Sequence, residues 1–242
     1  MALRINKFLS NSLNVSRRFA DKLIETEEIF LNGKRAVRGD DVSLDDEVVY
    51  KGKKLKLKNE KKIYLALNKP QGFITTMSDE NGRKCVKDLV SDCKTRVYPI
   101  GRLDRNSEGL LLFTNDGDFA NLMMHPSSHI PKTYRVTVKG KVTEKILDQL
   151  EKGIIIDDRK TLPAITFLNS YKKGISVVDI TIFEGRNRQV RKMMKYFDFE
   201  VLTLERIKYG TIELKDIPRG KYIKLTKQQI NELIDMASDG AK

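Results

Sequence analysis

Apolar positions recur on two periods along this chain. One period is helical. Leu3, Phe8 and Leu9 suggest a short first helix, and Phe19, Leu23 and Ile24 share one face of a second over residues 17–25, with Asn14 and Ser16 as cap-type residues ahead of it. Helical spacing returns over 119–125, 144–152, 188–196 and 227–237. Thr226 stands three residues before Gln229, the signature of a capping box. The other period belongs to strands. Ile29–Leu31 precedes a tight turn at Asn32–Gly33 and a basic return through Lys34, Arg35 and Arg38. Val42 with Leu44, then Val48 with Val49, suggest two short strands around Asp45–Asp46. Further strands are expected over 63–67, 109–113, 133–138, 175–183 and 223–225. Strands and helices do not alternate regularly, which favours an α+β fold with a mixed, largely antiparallel sheet flanked by helices.

Residues 51–62 read K-G-K-K-L-K-L-K-N-E-K-K and interrupt this pattern. They place a boundary near residue 60, giving a small unit over 1–60 and a larger one over 61–242. Lys and Arg total 46 against 33 Asp and Glu, a formal net charge of +13, and both parts are basic. An excess of that size points to an anionic partner, with nucleic acid as the default. No apolar stretch approaches the ~18 residues of a membrane span, and the first residues carry Arg4 and Lys7 without an apolar signal core. Two cysteines, Cys85 and Cys93, lack metal or disulfide spacing. A cytoplasmic protein with reduced thiols and no membrane partner is the expectation.

The candidate chemistry narrows by elimination. Neither phosphate-binding glycine loop is present. His125 and His129 are the two histidines, too few to support a catalytic metal site, and His125 before Pro126 reads as a helix-end residue. No G-x-S-x-G elbow occurs. Carboxylates, cations and tyrosines remain. Residues 99–117, P-I-G-R-L-D-R-N-S-E-G-L-L-L-F-T-N-D-G, set Asp104 between Arg102 and Arg105 just ahead of an apolar run. Flanking guanidiniums favour the anion of such a carboxylate, which can then serve as nucleophile or base.

Two resemblances extend this reading. R-I-N-K-F-L, V-S-R-R-F-A-D-K-L-I and I-F-L-N-G-K resemble the small RNA-binding domain named after ribosomal protein S-four. The match puts Arg4, Lys7, Ser16, Arg17, Arg18 and Lys34 on an RNA-facing surface. The 99–117 segment resembles the catalytic motif of pseudouridine synthases of the RsuA/RluB group. L-N-K-P-Q-G, K-T-Y, E-G-R-N-R-Q-V-R-K-M-M and L-E-R-I-K-Y-G match its other motifs in order. The resemblance implies isomerisation of uridine in RNA with no cofactor and no metal. Asp104 is then the catalytic aspartate, Tyr134 packs on the target base, Leu204 lies beneath it, and Arg191 pairs with the aspartate. Arg102 is expected to hold the flipped nucleotide or fill its vacancy. Arg186 and Arg188 are near alternatives to Arg191 as the partner of the aspartate, and with Arg105 they are expected to grip RNA.

M-H-P-S-S-H-I-P-K-T-Y and E-R-I-K-Y-G are most similar to the branch acting on large-subunit ribosomal RNA. The resemblance therefore implies a 23S target and a monomer, with 16S RNA as the alternative. A non-catalytic RNA-binding factor in ribosome assembly is the rival from another class, and a carboxylate would be superfluous to it. A hydrolase with paired carboxylates needs a second acid that the sequence does not identify.

Overall fold

A computed structural model describes residues 2–43 and 45–240. The chain divides into two compact units, Met1–Lys61 and Lys62–Lys242.

In the first unit, α1 (Ile5–Leu13) and α2 (Arg17–Thr26) pack with short strands at Ile29–Leu31, Lys34–Arg35, Val48–Tyr50 and Lys53–Lys54. The Ser16 hydroxyl accepts the Phe19 amide at 3.0 Å and caps α2. The core is built from Ile5, Phe8 and Leu9 of α1, Ala20, Leu23 and Ile24 of α2, and Ile29, Val42 and Val48. Phe19 departs from the expected face. It is 48% exposed, because Ala20, not Phe19, falls in register with Leu23 and Ile24 on the inward side. The charged stretch also holds more structure than its composition suggests. Lys53–Lys54 pairs antiparallel with Val48–Tyr50 through a turn at Lys51–Gly52, and its exposed lysines close a sheet edge. Leu44 lies outside the described residues.

The second unit is organised by one sheet. Its main strands are β1 (Tyr64–Lys69), β2 (Glu108–Thr114), β3 (Lys132–Lys139), β4 (Ile165–Lys172), β5 (Ile175–Ile182), β6 (Glu200–Tyr209) and β7 (Tyr222–Lys224). They lie in the order β4-β5-β3-β6-β2-β1-β7, and all neighbours are antiparallel except β6 and β2. The Leu-Leu-Leu-Phe run of β2 is covered on both sides. Leu110 and Leu112 face a core with α3 (Gly117–Met124) and α6 (Lys227–Asp239), while Leu111 and Phe113 face Val86, Val90, Val97 and Leu103. The other half of the sheet is backed by Leu147 and Leu150 of α4 (Glu144–Lys152) and Val190, Met193 and Met194 of α5 (Gln189–Tyr196). Thr226 completes the capping box of α6.

Two long strands, β4 and β6, escape the periodicity reading. β4 leaves Ile165 and Phe167 on its exposed side, and β6 carries Glu205 and Arg206 where an apolar pattern would have revealed it. The β2–β6 seam fixes the site. Glu108 and Gly109 pair with Glu205 and Arg206. Gly109 has φ +98°, and a Cβ there would strike the Arg206 carbonyl, so glycine alone permits the approach.

Candidate active site

The loop from Gly101 to Ser107 leads into β2 and carries Asp104. It is fixed by several groups. The Thr75 hydroxyl donates to the Leu103 carbonyl at 2.6 Å and accepts the Leu103 amide at 3.1 Å. The Gly72 amide donates to the Arg105 carbonyl at 2.8 Å. Lys69, fully buried at the end of β1, donates to the carbonyls of Pro70, Asp104 and Ser107 at 3.1, 3.1 and 2.7 Å. Burial pushes the Lys69 ammonium down to about 8 from its ordinary 10.5, against the attraction of Asp104 and Glu108. The main chain beneath Asp104 is therefore held while its carboxylate, 32% exposed, faces a cleft of about 870 Å³.

That cleft is ringed by cations. The Arg188 guanidinium lies 3.5 Å from the Asp104 carboxylate. Arg188 precedes α5 with φ +52° and ψ +32°, a left-handed conformation uncommon for a side chain of its size. Arg191, expected to pair with Asp104, does something different. Its Nη2 donates to the Asn106 carbonyl at 2.7 Å and the Ser107 hydroxyl at 3.3 Å, so it grips the loop just past the carboxylate. One turn of α5 separates the two arginines, and the left-handed start of the helix turns Arg188 toward Asp104. Burial and the neighbouring Arg188 hold the Arg191 guanidinium below its ordinary range.

Arg186, expected on RNA, spends its donors on the chain: Glu184 at 2.9 Å and the carbonyls of Arg159 and Lys160 at 2.9 and 2.6 Å. Arg102 and Arg105 stand exposed at the rim. Tyr134 on β3 and buried Leu204 on β6 line the cleft wall beside each other, in paired strands. His125 ends α3 and accepts the Ser127 amide at 3.3 Å, so the helix-end reading describes its contacts. In the first unit, Arg4 pairs with Asp41 at 3.3 Å and donates to the Gly39 carbonyl. Arg17, Arg18 and Lys34 are exposed, Lys7 is half-buried, and Ser16 serves the helix as its cap.

A held carboxylate in a cationic cleft walled by a tyrosine and a leucine suits a planar base extruded from RNA. The family model described as RNA pseudouridylate synthase matches residues 63–196, the stretch that carries Asp104, Tyr134 and Arg191. The chain belongs to this family. It is 40% identical over 98% of its length to the ribosomal large subunit pseudouridine synthase B of Bacillus subtilis (strain 168), covering 98% of that protein. It is 37% identical over 99% of its length to the dual-specificity RNA pseudouridine synthase RluF of Escherichia coli (strain K12), covering 81% of it. A crystal structure of a pseudouridylate synthase superposes with a TM-score of 0.69 at 29% identity, over 96% of this chain and 99% of that one.

The synthase holds two cations that the sequence reading passed over. Lys69 lies in the L-N-K-P-Q-G motif, which assigns it no role of its own. Arg206 is 2% exposed in the middle of β6. Both share strand parity with buried neighbours, Lys69 with Leu65 and Leu67, Arg206 with Leu204. That parity is the signal that could have separated them from the surface lysines and arginines of a basic chain.

Proposed function

We propose that this synthase isomerises a uridine of ribosomal RNA, that its target lies in the 23S RNA of the large subunit, and that Asp104 is its catalytic carboxylate. The observation that carries the reading is the Asp104 loop, fixed by Lys69, Thr75 and Arg191, with the carboxylate facing a cleft roomy enough for an extruded nucleotide beside Arg188. The reaction balances within the nucleoside. The C1′–N1 bond breaks, the C1′–C5 bond forms, C5 loses a proton and N1 gains one, so no redox group is required. Tyr134 offers its face to the extruded uracil above Leu204, and Arg102 holds the displaced nucleotide or fills its place. Arg105 and Arg188 receive flanking phosphates. In this reading Arg191 acts on Asp104 through the loop carbonyl rather than by direct pairing.

The first unit is proposed as an S-four-like RNA-binding domain. Exposed Arg17 and Arg18 at the start of α2, with Lys34 on the neighbouring hairpin, suit a phosphate backbone. Large-subunit RNA as substrate is supported by the name of the Bacillus relative; a cytoplasmic location and a monomeric state belong to the same proposal.

The test compares ribosomal RNA from cells with and without the protein, mapping pseudouridine by carbodiimide-stop sequencing. One stop in 23S RNA is expected to vanish in cells without the protein. Asp104→Asn is expected to abolish it too while RNA affinity survives. A stop lost from 16S RNA instead would move the target, and activity retained in the Asp104→Asn chain would remove that residue from the chemistry.

A further inference from the structure

Behind Tyr134 the cleft ends on two further cations. Arg206 is 2% exposed. Its guanidinium carbon lies 5.9 Å from the ring centre of Tyr134 and 5.2 Å from that of Tyr209. Its Nε donates to the Leu110 carbonyl at 2.7 Å across the β2–β6 seam, and its Nη1 approaches the Tyr134 hydroxyl at 3.4 Å. Nη2 is buried and has no partner. Lys132, two residues before Tyr134 on β3, lies 5.5 Å from the Tyr209 ring centre and donates to the Ile130 carbonyl at 2.8 Å. All four side chains line the cleft that Asp104 faces.

This arrangement is costly without an anion. Burial and the charge of Arg206 push the Lys132 ammonium down to about 8, and among the described residues no carboxylate pairs with either cation. A buried charge left without a counter-charge is a strong penalty. The guanidinium is fixed in place by its bond to Leu110 and its packing between Tyr134 and Tyr209, and its sealed Nη2 donor becomes available to a ligand once the side chains packed over it shift.

The proposed reaction makes the missing anion. When the C1′–N1 bond breaks, its electron pair stays on N1, and the detached uracil carries the charge over N1, O2 and O4. When C5 attacks C1′, the pair returns in the new bond, the C5 proton is released and N1 is protonated. We propose that Arg206 and Lys132 form the wall that receives the detached uracil anion, their two positive charges facing its delocalised charge, and so stabilise the intermediate between cleavage and rejoining. The inference rests on the uridine-isomerising reading above. Depth decides against a backbone phosphate as the anion: Arg102, Arg105 and Arg188 are exposed, whereas Arg206 is buried in the cleft wall.

The test uses the full chain and 23S and 16S transcripts made with uridine or with 5-fluorouridine throughout. Fluorine withdraws electron density and stabilises the pyrimidine anion by itself, so the fluorinated base depends less on protein cations. Single-turnover consumption of the target nucleoside is followed by nuclease digestion and chromatography. Arg206→Met and Lys132→Met are each expected to slow uridine consumption roughly a hundredfold, the scale of one lost preorganised donor. The expected defect on 5-fluorouridine is at least roughly tenfold smaller, with unchanged RNA affinity and salt dependence. Arg206→Lys, which keeps the charge, should recover part of the uridine rate. If Arg206→Met does not fold, Lys132→Met carries the same comparison. Equal defects on the two transcripts overturn the inference, as does weakened binding with a shallower salt slope, which would make the pair a phosphate site. Neither result touches the role of Asp104. No conversion of any transcript by the wild-type chain overturns the ribosomal RNA reading and this inference together.

Discussion

Lys69 has no substituent in the cleft and yet governs what happens there. One ammonium satisfies three carbonyls of two loops, including that of Asp104 itself. Lys69→Met removes the side-chain donor from all three carbonyls, and the Asp104 carbonyl keeps the Ser107 amide at 3.0 Å. The expected cost is about 2 kcal/mol of stability, with a fall in turnover larger than the fall in folded fraction. Urea midpoints and single-turnover rates measure the two separately. The same residue has a distinct pH signature. Its folded pKa, about 8, lies below the ordinary 10.5. Below pH 8 both states carry the proton and the burial cost is felt in full. Between pH 8 and 10.5 the unfolded chain binds more protons, so the contribution of Lys69 to stability rises with pH, by at most about 1.4 kcal/mol per unit. Wild type should therefore gain on Lys69→Met across that window; parallel stability curves would show that burial does not perturb this ammonium.

At the level of elements, α2 offers the clearest test. Ser16 caps it, its inward face is Ala20, Leu23 and Ile24, and Arg17 and Arg18 stand exposed in its first turn. If they meet phosphates, Arg17→Ala with Arg18→Ala weakens RNA binding and lowers the salt slope by about two; an unchanged slope leaves them a solvated face. The elements also show what the sequence could and could not reveal. β2 was legible because burial on both faces leaves an unbroken Leu-Leu-Leu-Phe run, and α6 because its cap and capping glutamine are local. β4 was illegible because its exposed face is as apolar as its covered one. Neighbouring charges mark Asp104 as an ionised carboxylate, and the ordered motifs around it single it out. That Arg188 rather than Arg191 makes the ion pair could not be read in this way, since it depends on a left-handed residue at a helix start.

For the whole molecule, each unit has its own apolar core. The smaller unit buries a lower fraction of its unfolded surface and has less to hold it. Hydrogen exchange in rising guanidinium should show peptides of residues 2–43 losing protection before those of β1, β2 and β6. Simultaneous loss in both sets would mean that the units unfold as one. Within the larger unit, the β2–β6 seam imposes an order in time. Arg206 meets Leu110, 96 positions earlier, across the lone parallel strand pairing of the described sheet. A chain emerging from its own ribosome exposes Asp104 long before β6 exists to wall the cleft. The nascent protein therefore carries the Asp104 carboxylate in an unassembled setting, and the cleft proposed to take the target base closes only when synthesis has passed Arg206.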